Sequence, residues 1–194
     1  MSELLNRRPI VIALAGPNGA GKSSYYRTYL EKSRLPFINA DVIALRTGVD
    51  AYKAAELAED VRQSLFAQGD SFIFETVFSD PVGAKLQFLK QAQSAGYTVL
   101  LVFVGIDSAK TSELRVDMRV SKGGHDVPHD KIAERYARTM RNLERGLVEL
   151  ENVRVYDNTD LDVPYRLVAS RDAGRDVVAH GPIPAWLKQL LPRR

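Results

Sequence analysis

Gly16-Pro17-Asn18-Gly19-Ala20-Gly21-Lys22-Ser23 matches G-x-x-x-x-G-K-[ST] at every fixed position, a pattern whose chemistry is the capture of phosphates. The glycines allow successive backbone N–H groups to turn inward, and a following helix adds the positive end of its dipole. Lys22 is placed to reach the terminal phosphates and Ser23 to ligate Mg²⁺. Residues Gly16 through Ser24 are therefore the expected ATP-binding loop, with Mg²⁺ as the accompanying metal.

Transfer of a phosphoryl group requires a positioned acceptor hydroxyl, a held Mg²⁺ and positive charge around the moving group. Asp41, in Asn39-Ala40-Asp41 after a short apolar run, is the candidate general base; its other reading is the N-cap of the helix that follows. Glu75 and Thr76 end a second run, Phe72-Ile73-Phe74, and are candidates for Mg²⁺ and acceptor contacts. Asp107 competes with Glu75 for the metal, with a helix cap as its other role.

Arg115 and Arg119 are four residues apart and share a helix face. Arg135, Arg138, Arg141 and Arg145 form a second series. Arg119 and Arg135 are read as phosphate contacts and Arg115 and His125 as acceptor contacts, whereas Arg141 and Arg145 are read as solvated surface. The span 108–135, with Gly123-Gly124 at its turn, is the expected lid. Asn158 follows the last parallel strand, where it would contact the adenine or begin a turn.

The elements that position these groups alternate in type. Strands are predicted over Pro9 to Ala15, Pro36 to Asn39, Ser71 to Glu75, Tyr97 to Gly105 and Val153 to Tyr156, and the first runs straight into the Gly-rich loop. Helices are predicted over Ser24 to Lys32, Tyr52 to Gln68, Pro81 to Ala95, Ser108 to Val120, Asp130 to Leu150 and Pro184 to Leu190. In the second of these, Ala54, Leu57, Ala58, Val61 and Leu65 form the apolar face. Tyr165 to Ser170 and Arg175 to Ala179 read as a C-terminal hairpin. Together they predict an α/β fold of three layers with a mainly parallel five-stranded sheet, in one domain over 1–194.

Composition narrows the function classes. Of the 194 residues 45% are hydrophobic and 26% charged, enough apolar material for a real core and too much for a disordered chain. The absence of Cys excludes disulfides, thiol nucleophiles and thiolate zinc, and three His leave little for a His-based metal centre. The net charge of +3, with no long basic tract, predicts no nucleic-acid partner. No apolar run approaches a membrane span and the first ten residues lack a signal h-region, so no membrane role and a cytoplasmic location are expected. No NKxD motif supports a GTPase, and Ser121-Lys122-Gly123-Gly124-His125 lacks the strand that follows an ABC signature. A small-molecule kinase suits the remainder; a nucleoside, nucleotide or antibiotic kinase and a non-kinase ATP switch stay open.

Taken as a series, GPNGAGKSS, FINAD, FETVFS, RVDMRVSKGGHDVP, ERYARTMRNL and YDNT resemble the zeta-toxin-like P-loop kinases from about Pro9 to Thr159. The resemblance implies an adenylate-kinase-like fold and ATP with Mg²⁺. It implies phosphorylation of a hydroxyl on a sugar nucleotide such as UDP-N-acetylglucosamine, and an antitoxin protein as partner. It carries the Walker lysine to Lys22, the metal-binding hydroxyl to Ser23, the base to Asp41, acceptor contacts to Glu75 and Thr76, and phosphate contacts to Arg119 and Arg135. The third strand ends Glu-Thr-Val here, where many members have Glu-Thr-Thr.

Overall fold

The computed structural model describes residues 2–121 and 128–192. After a short turn of helix, α1 (Ser2–Leu5), the chain enters β1 (Ile10–Ala15), all six residues of which are buried. Helix α2 (Lys22–Tyr25) begins inside the Gly-rich loop and tightens through a π turn at Tyr26–Leu30 and a 3₁₀ turn at Glu31–Ser33. The expected helix over Ser24 to Lys32 is thus longer at its start and irregular at its end. Next come β2 (Phe37–Ile38), α3 (Ala40–Thr47), α4 (Ala51–Ala67), β3 (Phe72–Thr76), α5 (Ala84–Ser94) and β4 (Thr98–Gly105). The rest is α6 (Ala109–Val120), α7 (His129–Glu149), β5 (Val153–Asp157), β6 (Arg166–Arg171), β7 (Val178–Ala179) and α8 (Ala185–Lys188).

The sheet order is β2-β3-β1-β4-β5-β6-β7. The first five strands pair in parallel, as the alternation predicts. The C-terminal hairpin does not stand apart: β6 pairs antiparallel with β5, and β7 with β6, so the sheet grows to seven strands.

Helices cover both faces, which is why β1 and β4 read as continuous apolar runs rather than alternating ones. Val11, Ala13, Val99, Leu101 and Phe103 point to the side packed by Leu86 and Leu89 of α5, Leu143 and Leu147 of α7, and Trp186 of α8. Ile10, Ile12, Leu100 and Val102 point to the other side, against Leu4 of α1, Tyr25 of α2 and Leu30. Among the described residues no helix is long and apolar enough to cross a membrane.

This order sets the site. Pairing of Leu14 with Glu75 and of Ile38 with Phe74 brings the exits of β1, β2 and β3 side by side at the carboxyl edge of the sheet, where ligands sit in open α/β folds.

Candidate active site

The loop after β1 is shaped by close backbone approach. Gly16 has φ +144°, and a Cβ there would lie 2.1 Å from the Val104 carbonyl oxygen of β4. Gly21 takes a left-handed φ of 93° and caps α2 with no side-chain hydrogen bond. The helix thus opens with N–H groups free of side-chain capping, the form in which helix N-termini receive anions.

Lys22 is 7% exposed, and its ammonium donates to Gly16 O at 2.9 Å and Pro17 O at 3.1 Å. Burial lowers its pKa, and the Glu75 and Asp41 carboxylates oppose that shift while Arg119 adds to it. Both carboxylates therefore act electrostatically on the lysine.

Glu75 is the centre of the polar constellation. Its Oε2 accepts from Ser23 Oγ at 3.0 Å and from Asn39 Nδ2 at 2.9 Å, and Oε1 lies 3.9 Å from Lys22 Nζ. Asn39 is held in turn because its Oδ1 accepts from Val42 N–H as the N-cap of α3. The cap is therefore Asn39 and not Asp41. Asp41 sits in the first helical turn and lines the cleft.

That cleft has a volume of about 1000 Å³ and is bordered by Lys22, Ser23, Asp41, Glu75, Thr76 and Arg119 among others. Thr76 Oγ1 accepts from Phe78 N–H at 2.9 Å, steadying the turn beyond β3. Ser23 and Glu75 are hard oxygen donors 3.0 Å apart. Mg²⁺ characteristically takes one or two such groups and completes its shell with water and phosphate oxygens. With the buried Lys22 beside them, these residues fit ATP and Mg²⁺.

Other expected site residues have different places. Asn158 is buried, and its amide donates to Ala20 O at 2.8 Å while its Oδ1 accepts from Tyr165 N–H at 3.3 Å. The side chain braces the phosphate loop. Arg115 lines the cleft, but its guanidinium donates to the carbonyls of Asn158 and Thr159 at 2.9 and 2.8 Å. It ties α6 to the exit of β5. Arg119 is exposed at the cleft. Arg135 is half-buried on α7 and is not among the residues lining the cleft. Ser108, not Asp107, caps α6, through Thr111 N–H, and Asp107 is likewise not among the cleft's lining residues. Arg145 pairs with Glu149 at 3.1 Å on the surface of α7. His125 and the turn of the expected lid lie outside the described residues.

Sequence reasoning missed Tyr165, whose hydroxyl donates to Gly21 O at 3.0 Å, and the trio Glu59, Arg62 and Lys85. Arg62 and Lys85 line the same cleft as Asp41, and Glu59 accepts from both. The signal for Arg62 was its place four residues after Ala58 on the stripe Ala54, Ala58, Arg62, all three buried.

A parallel sheet ordered 2-3-1-4-5, a phosphate loop between β1 and its helix, and an acid at the end of β3 define a P-loop NTPase fold. The Zeta toxin family model matches residues 44–167, well over half of the chain, and the protein belongs to that family. The match begins after Asp41, so the phosphate loop is independent support. A protein of Haemophilus influenzae (strain ATCC 51907 / DSM 11121 / KW20 / Rd), described as an uncharacterized protein, is 27% identical over 130 residues, covering 64% of this chain and 91% of the relative.

Among solved structures, the AvrRxo1-ORF1:-ORF2 complex with ATP superposes with a TM-score of 0.69 at 19% identity, over 92% of this chain and 63% of that one. The PezAT chromosomal toxin-antitoxin system of Streptococcus pneumoniae gives 0.58 at 18% identity, over 80% and 72%. A putative kinase from Chloroflexus aurantiacus gives 0.55 at 18%, over 80% and 91%. This chain spans less than two thirds of the AvrRxo1 chain that it matches.

Proposed function

We propose that the protein is an ATP-dependent kinase that transfers the γ-phosphoryl group to a hydroxyl of a small molecule, with a sugar nucleotide such as UDP-N-acetylglucosamine as the acceptor class. The observation that carries this reading is the single cleft in which Lys22, Ser23 and Glu75 meet Asp41. Membership of the zeta toxin family supports the same activity.

The phosphate loop and Lys22 hold the nucleotide, and Ser23 with Glu75 provides the protein's share of the Mg²⁺ shell. Bound Mg²⁺ neutralises charge on the phosphate oxygens. Asp41 accepts the proton of the acceptor hydroxyl, Thr76 lies within reach of the same end of the cleft, and Arg119 places positive charge at its rim, where charge develops on the moving group. Arg135, on α7, is the second phosphate contact in this reading. An antitoxin protein is the partner we propose, supported by the toxin-antitoxin assembly named for the pneumococcal neighbour.

The test is incubation with γ-labelled ATP and a metabolite extract, followed by separation of labelled products. Label on UDP-sugars is the expected result. Label on other small molecules would leave a kinase with a different acceptor, and label only in free phosphate would replace the kinase by an ATPase or switch.

A further inference from the structure

At the end of the cleft formed by α4 and α5, Arg62 is 5% exposed and yet its Nε has no hydrogen-bond partner. Its guanidinium lies over the rings of Phe74 and Phe88, 5.0 and 4.9 Å from their centroids. One of its terminal nitrogens pairs with Glu59, whose carboxylate also accepts from Lys85 Nζ at 2.6 Å and Gln63 Nε2 at 2.9 Å. Two cations thus share one carboxylate. A buried guanidinium left with an unpaired N–H is costly, and the aromatic faces hold it in place without answering that donor.

Arg62 and Lys85 line both the main cleft and a second hollow of about 690 Å³, which Glu59, Gln63 and Phe88 also border. Both residues thus border the cleft, Lys85 being the more open of the two, while Arg62 Nε itself is closed off. Phe74, on which Arg62 rests, directly precedes Glu75, which ties the cluster's position to the exit of β3.

We infer that Glu59, Arg62 and Lys85 form an oxyanion-binding subsite for a carboxylate or phosphate group on the acceptor, remote from the hydroxyl that is phosphorylated. The assignment to the acceptor rests on the kinase reading above; the anion site itself does not. The ammonium of Lys85 meets the anion first, and the Arg62 guanidinium supplies the second charge-assisted donor once Glu59 gives way to the anion. Glu59 occupies part of their bonding capacity when no ligand is present, and an incoming anion competes with it for Lys85.

The test follows the Arg62 Nε–H resonance by NMR during titration of the whole protein with inorganic phosphate, with acetate, and with chloride at matched ionic strength. A saturable shift with phosphate or acetate, and not with chloride, is expected, and the stronger of the two names the group. Lys85→Gln should weaken binding by about tenfold, Lys85→Arg should retain it, and Lys22→Ala should leave it unchanged. An unmoved resonance would overturn the proposal, as would equal shifts with all three anions, or a shift lost in Lys22→Ala and kept in Lys85→Gln. Because phosphoryl transfer is not the readout, failure here is separate from failure of the kinase reading.

Discussion

On the phosphate-loop side of the cleft almost every polar group is held by another. Asn158 donates to Ala20 O, Tyr165 to Gly21 O and Ser112 to Asn18 O, while Arg115 fixes the carbonyls of Asn158 and Thr159. On the α3 and α4 side, Asp41 is exposed, and Arg62 and Lys85 depend on one carboxylate. The first half is built in advance for a ligand common to many enzymes. The second half depends on a few side chains carried by α3, α4 and α5, and in the kinase reading proposed above acceptor choice resides there.

The contrast can be broken in graded steps. Replacing Arg119 by Ala should lower phosphoryl transfer on the order of 10³-fold if it stabilises the moving group; steady-state rates check this, and a change of a fewfold would return Arg119 to surface charge. Asp41→Asn should lower kcat by about 10²–10⁴-fold while ATP binding, measured by calorimetry, is kept. Loss of ATP binding in that variant would erase the division between the two halves.

Smaller effects concern stability. Asn158→Ala strands the buried Ala20 carbonyl, and denaturant unfolding should report a loss of about 1–3 kcal/mol. Asn39→Ala removes the α3 cap and should cost about 1 kcal/mol, with a further loss of activity because Glu75 is no longer steadied. The remaining effect concerns the pH dependence set by Glu59. Burial raises its pKa, but Lys85, Gln63 and Arg62 outweigh this and bring it down to about 2 from an ordinary value of 4.5. Its contribution is therefore complete above the unfolded value and is lost as pH falls from about 4.5 toward 2. In Glu59→Gln the melting temperature should fall less steeply across that window than in the wild type.

The nucleotide half was legible in the sequence because its spacing is rigid: a loop that must fold around phosphates fixes Gly16 to Ser23, and strand ends fix Glu75. Asn39 and Asp41 could not be separated in this way, since both are good capping residues and only backbone geometry chose Asn39. Arg62 was hidden by treating the apolar residues of α4 as its buried face. Val61 is 45% exposed, and the arginine takes the inner position. Arg115 was recognisable as a charge on a helix face, but the carbonyls it meets are more than forty residues away. The hairpin's attachment to β5 likewise depends on a pairing that no local pattern encodes.

The most direct test of the central claim is a mass-spectrometric balance of ATP, UDP-N-acetylglucosamine and their products with the wild-type protein and Mg²⁺. The account predicts a phosphomonoester of the sugar nucleotide formed in step with ADP. ADP accompanied only by free inorganic phosphate, with UDP-N-acetylglucosamine left unphosphorylated, would contradict it.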